Sequence, residues 1–256
     1  MKKIILIVFL WTGFLSLNAQ TKSDFVKTSF VMNGDTFPVR ILYPENFDPS
    51  KKYPLMIFLH GSGERGNDNE KQLIHGSKMF LDPDFRKQFP AVVIFPQCSN
   101  DSYWTNVKIT KKRNFDFQKG GKPTIAMKLL LGYLEDVEKL NYLDHNRFYL
   151  GGLSMGGMGT YELLRRERHT FAAAFAICGG DNVKNVKKYK RVPLWLFHGG
   201  KDDVVDPQFT KNIAQELEKL KAEYKLTIYP NANHNSWDSA FAEKDLFPWL
   251  FSHKKD

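Results

Sequence analysis

The sequence predicts an α/β fold with a doubly wound, mostly parallel sheet, an antiparallel N-terminal hairpin and no large cap domain. Continuous apolar runs of strand length recur along the chain, as expected of strands buried on both faces. Segments with helical periodicity separate these runs, and glycine-rich turns follow several of them, where open α/β sheets hold their ligand sites. The length of 256 residues fits one such domain.

The first twenty residues differ in character from the rest of the chain. Two lysines precede an apolar run at 4–17, and residues 18–20 resemble a small-residue cleavage site. This pattern predicts a signal peptide over 1–20, a folded domain over 21–256, and a secreted or periplasmic protein with no stable membrane insertion after processing. The alternative is a retained anchor helix, although the run is shorter than the roughly 20 residues that span a bilayer.

Basic residues exceed acidic ones. The formal net charge is +9, and it is +7 without the two lysines of residues 1–20. The basic clusters at 51–52, 108–113 and 184–191 are scattered rather than arranged as one basic helix, which is typical of solvated faces. We therefore expect no nucleic-acid partner. Attraction to an acidic polysaccharide or an anionic envelope surface is a hypothesis.

The cysteines are Cys98 and Cys178, and one disulfide between them is an open alternative in an exported protein. Each follows an apolar, strand-like run. Isolated cysteines are more often small buried hydrophobes, so we favour two free thiols.

The N-terminal half supplies the hairpin and two buried strands. Apolar stretches at 25–32 and 37–43 flank an Asn-Gly turn, which is a strong hairpin signal. The runs at 54–59 and 91–95 have the continuous apolar character of parallel strands. A short helix is predicted between them at 73–80.

Residues 99–122 lose periodicity and become polar and basic, with aromatic residues interspersed. A loop of this length in a compact domain is usually functional or disordered, so we expect a rim or partial lid over a substrate cleft. Trp104 is a candidate substrate-binding platform, with packing as core beneath the loop as an equal alternative. Pro123 is then expected at the first position of a helix that extends to Leu140.

The C-terminal half continues the alternation of strands and helices. Asp206-Pro207 is expected to open one helix, and another is expected at the C-terminus. Strands are predicted at 147–150, 171–178, 193–197 and 225–229, and a helix at 160–166 follows the first of them.

Ser154 lies in Gly-Leu-Ser-Met-Gly between a predicted strand and a predicted helix. In that context the pattern is a nucleophile elbow, in which a serine with a strained backbone sits between glycines that let neighbouring chain approach. The following helix would direct its N-terminal amides towards negative charge on the serine. Ser154 is therefore the candidate nucleophile, against the alternative of an ordinary glycine-rich turn.

Candidate acid and base residues follow in the order that this elbow requires. Asp202 and Asp203 come just after the strand at 193–197, and either carboxylate could orient a histidine. His234 lies in the loop after the last predicted strand, where an imidazole could reach both the serine and the acid. The other histidines fall in polar segments or precede glycine turns.

Stabilisation of an oxyanion requires two backbone donors. Met155 directly follows the candidate nucleophile and would supply one of them. The glycine-rich turn that begins at His60 would supply the other, and Ser62 is the candidate donor there. Glu64 and Arg65 in this turn are expected to brace the loop through ion pairs.

Four motifs together resemble the α/β-hydrolase superfamily, and more narrowly the secreted feruloyl and acetylxylan esterases, polyhydroxybutyrate depolymerases and dienelactone hydrolase-like enzymes. They are the segments at 59–66, 152–157, 198–203 and 233–237. The third is similar to His-Gly-x-x-Asp-x-x-Val-Pro, which places the acid at Asp202, although Asp206 replaces the proline. The resemblance covers nearly the whole of 21–256, and many relatives are also labelled prolyl-oligopeptidase-like.

The resemblance implies a serine esterase without metal or organic cofactor, in which Ser154, His234 and Asp202 form a catalytic triad. Met155 and Ser62 would form the oxyanion hole, and Trp104 and Trp237 would contact substrate. A small-molecule or polysaccharide ester is the expected substrate. A serine peptidase, a phospholipase or lipid esterase, and a catalytically inactive binding protein are the alternatives. The oligomeric state is open.

Overall fold

The computed structural model describes residues 21–111 and 114–255. The predicted signal peptide at 1–20 lies outside these ranges and stays a prediction. Within the described ranges, no helix combines the length and apolar character needed to cross a bilayer.

A mostly parallel sheet of eight strands forms the centre of the fold, in the order β1-β2-β4-β3-β7-β8-β9-β10. The hairpin of β1 and β2 is antiparallel, β2 pairs antiparallel with β4, and the remaining pairs are parallel. The strands are β1 Val26–Met32, β2 Asp35–Leu42, β3 Tyr53–Leu59, β4 Val92–Pro96, β5 Val107–Lys111, β6 Asn114–Phe117, β7 Leu143–Leu153, β8 Ala173–Ile177, β9 Leu194–Gly199 and β10 Tyr224–Tyr229.

Helices cover both faces of this sheet. They are α1 Ser77–Leu81, α2 Pro83–Gln88, α3 Ile125–Val137, α4 Met155–Arg166, α5 Pro207–Lys219, α6 Trp237–Phe241 and α7 Leu246–Ser252. The predicted doubly wound fold with an antiparallel entry is therefore confirmed.

Alternation along the strands separates the core into two layers. On β3, Leu55 and Ile57 face a layer that includes side chains of α3, α4 and α5. Met56 and Phe58 face the opposite layer, which includes side chains of α1, α2 and α7. Because successive strand side chains point to opposite faces, a strand buried on both sides has to be apolar at every position.

Two helix predictions need correction. The helix predicted at 73–80 is a 3-10 turn at Lys71–Leu73 followed by α1, because Gly76 between them has a φ of 83°, which ends any right-handed helix. Helix α3 begins at Ile125 rather than at Pro123. The hydroxyl of Thr124 accepts a hydrogen bond from the amide of Met127, so Thr124 is the N-cap and the proline precedes it.

The segment predicted to be irregular at 99–122 contains the hairpin of β5 and β6. Phe115 and Phe117 are two residues apart on β6 and therefore share a face, where their rings stack at 5.9 Å between centroids. Both rings pack edge-on against Phe209 in α5. This contact fixes the hairpin at the edge of the sheet where β8 and β9 end.

Candidate active site

Ser154 connects β7 to α4 in a strained conformation, with φ 53° and ψ −117°. A positive φ is rare for a residue with a side chain, and it turns the hydroxyl out above the sheet. The backbone packs so closely in this turn that a Cβ on Gly156 would overlap the carbonyl oxygen of Leu59. The glycines of the motif therefore let β3 and the start of α4 approach closely.

Ser154, His234 and Asp202 are linked by two hydrogen bonds. The hydroxyl of Ser154 lies 2.9 Å from Nε2 of His234, and Nδ1 of His234 lies 2.8 Å from Oδ2 of Asp202. Because the carboxylate can only accept, Nδ1 carries the proton and Nε2 accepts the serine hydroxyl. This is the arrangement in which an imidazole removes the proton of a nucleophile.

Asp202 rather than Asp203 makes this contact. The Asp202 side chain is buried, and its Oδ1 accepts hydrogen bonds from the amides of Val204 and Val205 at 2.8 and 2.9 Å. Burial opposes ionisation, but the hydrogen bonds from His198, His234 and the backbone outweigh it and hold the pKa of Asp202 well below its usual range. The carboxylate is therefore ionised at neutral pH.

His198, which precedes a glycine turn, is a second histidine that contacts this carboxylate. Its Nε2 lies 3.1 Å from both Oδ2 of Asp202 and the carbonyl oxygen of Val205, so this nitrogen carries a proton. Nδ1 of His198 is 2.7 Å from the hydroxyl of Thr210. The imidazole thus connects the candidate triad acid to α5. The four-residue spacing of His198 and Asp202 is the sequence signal for this contact.

The loop predicted to hold an oxyanion donor lies directly beside Ser154. A Cβ placed on Gly61 would lie 3.7 Å from the Cβ of Ser154, so the peptide that leads to Ser62 borders the nucleophile. Met155 is the first residue of α4, where amides have no acceptor within the helix. The role of the Ser62 and Met155 amides as oxyanion donors stays a prediction.

His60 stabilises this loop from beneath. Its Nε2 accepts a hydrogen bond from the amide of Cys98 at 3.0 Å, so Nδ1 carries the proton that is donated to the carbonyl of Gly61 at 2.6 Å. Burial lowers the pKa of His60 to about 4. The ring is therefore neutral at physiological pH and holds the backbone next to Ser154 in place.

The prediction of Trp104 as a substrate platform is wrong. Its side chain is fully buried, and its indole N–H donates to the carbonyl of His60 at 3.1 Å. Its ring packs edge-on against Phe37 and His60. No face of the ring is open to a ligand, so Trp104 supports the loop at His60 as part of the core.

Trp237 lies beside the reactive groups. Its ring is edge-on to that of His234, with 5.4 Å between centroids, and 5.3 Å from the ring of His75. His75 in turn pairs with Glu64, whose carboxylate is 3.7 Å away. Burial raises the pKa of Glu64, because the charged carboxylate is partly removed from water.

Arg65 braces the same loop, but through hydrogen bonds to backbone carbonyls rather than through the predicted ion pair. It donates to the carbonyl of Ser62 at 3.0 Å and to that of Asn100 at 3.0 Å, and it lies 5.5 Å from the ring centre of Tyr103. A cleft of about 390 Å³ opens beyond Arg65 and Tyr103, towards β5. Ser154, His234 and Trp237 are not among the residues that line this cleft.

Cys98 and Cys178 are buried free thiols, as the sequence analysis favoured. The sulfur of Cys178 lies within 4.8 Å of ligand atoms of Asp202 and His234, a grouping from which a metal site can be built. Burial raises the pKa of the Cys178 thiol well above its usual range, and the neighbouring carboxylate adds to this effect. A protonated thiol and a hydrogen-bonded Asp-His pair do not fit a metal ion.

Comparison with known proteins agrees with this fold. Residues 48–246 match the phospholipase/carboxylesterase family. The bifunctional acetylxylan esterase/xylanase XynS20E of Neocallimastix patriciarum is 28% identical over 198 residues, which are 75% of this chain and 26% of that protein. Lysophospholipase-like protein 1 of Mus musculus is 26% identical over 193 residues, which are 70% of this chain and 79% of that protein.

A solved thermostable esterase superposes with a TM-score of 0.79 at 31% identity, covering 91% of this chain and 64% of that one. The chain thus spans about a quarter of the bifunctional enzyme and a little under two thirds of the thermostable esterase. The family match extends over most of the chain and includes the segments that carry Ser154, Asp202 and His234. The chain therefore belongs to the phospholipase/carboxylesterase family and has the α/β-hydrolase fold.

Proposed function

We propose that the chain hydrolyses carboxylic esters through an acyl-enzyme on Ser154. The observation that carries this proposal is the pair of hydrogen bonds that links Ser154 through His234 to the buried carboxylate of Asp202. His234 takes the hydroxyl proton as Ser154 attacks the ester carbonyl, and it returns the proton to the leaving alcohol. The resulting acyl-enzyme is then hydrolysed by a water that His234 activates.

Two backbone amides stabilise the charge that develops on the carbonyl oxygen. The amide of Met155 lies at the positive end of α4, and the amide of Ser62 belongs to the loop held by His60 and Arg65. Because the start of α4 and the loop that contains Ser62 are both held in place before substrate binds, these donors need little reorganisation. Loss of one such donor typically costs about 100- to 1000-fold in kcat.

The preferred substrate in this proposal is an acetyl or feruloyl ester on a polysaccharide, reached after export through the signal peptide predicted at 1–20. The similarity to an acetylxylan esterase/xylanase supports this choice. Trp237 stands next to His234 and would contact the acyl or alcohol group. A lipid ester is the second candidate, favoured by the similarity to lysophospholipase-like protein 1.

The test compares wild type with Ser154→Ala on p-nitrophenyl acetate, methyl ferulate and acetylated xylan. We expect wild type to turn over all three and Ser154→Ala to lose at least about 10⁴-fold in kcat, as other triads do. Lysophosphatidylcholine and an aminoacyl anilide are assayed in parallel. A higher kcat/KM for the lipid or for the anilide would contradict the proposal that a polysaccharide ester is the preferred substrate. Activity of Ser154→Ala would overturn the assignment of Ser154 as the nucleophile.

A further inference from the structure

Basic residues that are scattered in sequence converge at the edge of the sheet opposite to Ser154. Arg168 and His169 follow α4 and precede β8, and residues 187–191 precede β9. Because β8 and β9 are adjacent and parallel, the segments that lead into them meet at one edge. Ser154, by contrast, follows the carboxyl end of β7, at the other edge.

These segments enclose a cleft of about 300 Å³, here called the basic basin. All six of its lining residues are basic: Arg168, His169, Lys187, Lys188, Lys190 and Arg191. A second cleft of about 560 Å³ shares Arg168, His169 and Arg191 with it and adds Lys254 and Lys255. Because the two clefts share these three residues, they adjoin and together form a mostly basic surface.

The charge in the basin is not neutralised by the protein. Among the described residues, none of the six lining side chains has a carboxylate within 4.0 Å, whereas Lys139 elsewhere pairs with Asp136 at 2.7 Å. Partial burial and the surrounding cations, of which Arg165 and Arg168 are the strongest, lower the pKa of Lys188. Glu223, an acid of the second cleft, is engaged by His253 at 2.8 Å.

The shape and composition of the basin select among anionic ligands. Single-stranded nucleic acid is bound through several aromatic rings on which successive bases stack, whereas the imidazole of His169 is the single aromatic ring among the six lining residues of the basin. An anionic bilayer is planar and is met by exposed apolar side chains, whereas this surface is concave and lined by basic groups. Lysine and arginine along a concave path fit the carboxylates of a linear polymer.

We propose that the basic basin binds an anionic, carboxylate-bearing polysaccharide. The site would hold the enzyme on a charged glycan while the opposite edge of the sheet stays open to an ester. Binding at the basin does not depend on the esterase assignment, because the basin shares no residue with the candidate active site.

The experiment measures the affinity of the full chain for polygalacturonate by titration calorimetry at low and at physiological salt. The variant is Lys187→Ser/Lys190→Ser, in which both side chains are exposed. Its matched control is Lys78→Ser/Lys87→Ser, which removes the same charge from exposed positions on α1 and α2. Turnover of p-nitrophenyl acetate is recorded for each protein and is expected to be unchanged.

We expect the basin variant to bind polygalacturonate about tenfold more weakly, which is about 1.4 kcal/mol, with a shallower salt dependence. The control should bind within about twofold of wild type. Equal losses in both variants would overturn the proposal, because net charge alone would then explain binding. Tighter binding of wild type to single-stranded RNA, to phosphatidylglycerol vesicles or to neutral arabinoxylan would also overturn it.

Discussion

Replacement of His198 tests whether the second histidine on Asp202 sets the state of the candidate triad acid. His198→Met introduces an apolar side chain of similar volume and removes the N–H that lies 3.1 Å from Oδ2 of Asp202. His198→Gln is the matched control, because its amide can still donate a hydrogen bond to the carboxylate. Both side chains of the native pair are fully buried, so water does not replace the lost donor.

The expected loss follows from the contact that is removed. A hydrogen bond to a charged group contributes about 1.5–3 kcal/mol, so His198→Met should lower the free energy of unfolding at pH 7 by about 2 kcal/mol. The pKa of Asp202 is depressed in the fold, so its stabilising contribution is present above the unfolded pKa of about 3.9 and is lost as pH falls towards the folded pKa. The gap between His198→Met and wild type should therefore narrow below about pH 4.

Urea unfolding of wild type, His198→Met and His198→Gln at pH 7 and in the acid range provides the measurement. His198→Gln should retain most of the stability that His198→Met loses. The reasoning is refuted if the two variants lose the same stability, or if the loss does not change with pH. Either result would mean that His198 contributes packing and not the hydrogen bond to Asp202.

Three further predictions concern the candidate site and its supports. Asp202→Asn should lower kcat for p-nitrophenyl acetate about 10⁴-fold with little change in fold by circular dichroism, whereas Asp203→Asn should stay within about threefold of wild type. Because burial lowers the pKa of His60 to about 4, the free energy of unfolding should fall by about 3 kcal/mol as the pH drops from 6.5 to 4. Urea unfolding of His60→Gln over the same pH range should not show this loss of stability. Gly156→Ala should lower the thermal midpoint sharply or prevent folding, because its Cβ would overlap β3, whereas Gly63→Ala meets no atom within 4 Å and should be nearly neutral.

Much of the fold could be predicted because its signals are local. The apolar runs at 54–59 and 91–95 match β3 and β4 within a residue or two, since a strand buried on both faces must be apolar throughout. The position of Ser154 between a strand and a helix could also be predicted, because its signal is local as well. A glycine pattern with a strand before it and a helix after it has few other structural solutions.

The errors arose where the outcome depends on residues distant in sequence. Trp104 in a polar loop has the same local signal whether it faces solvent or core, and only its contacts with Phe37 and His60 decide that it is buried. The hairpin of β5 and β6 was missed because its aromatic residues are stabilised by Phe209, about ninety residues later in the chain.

The sequence by itself determined the doubly wound sheet, the nucleophile elbow and the order of the candidate acid and base, because these depend on short-range periodicity and turn geometry. The resemblance favoured Asp202 over Asp203 as the acid. Only the tertiary structure showed the hydrogen bond from His234 to Asp202, placed His198 on the same carboxylate, and gathered the basic basin. The physical reason is that a side chain's partners and burial are set by which strand ends the sheet order brings together. Neighbouring residues in sequence carry no record of that order.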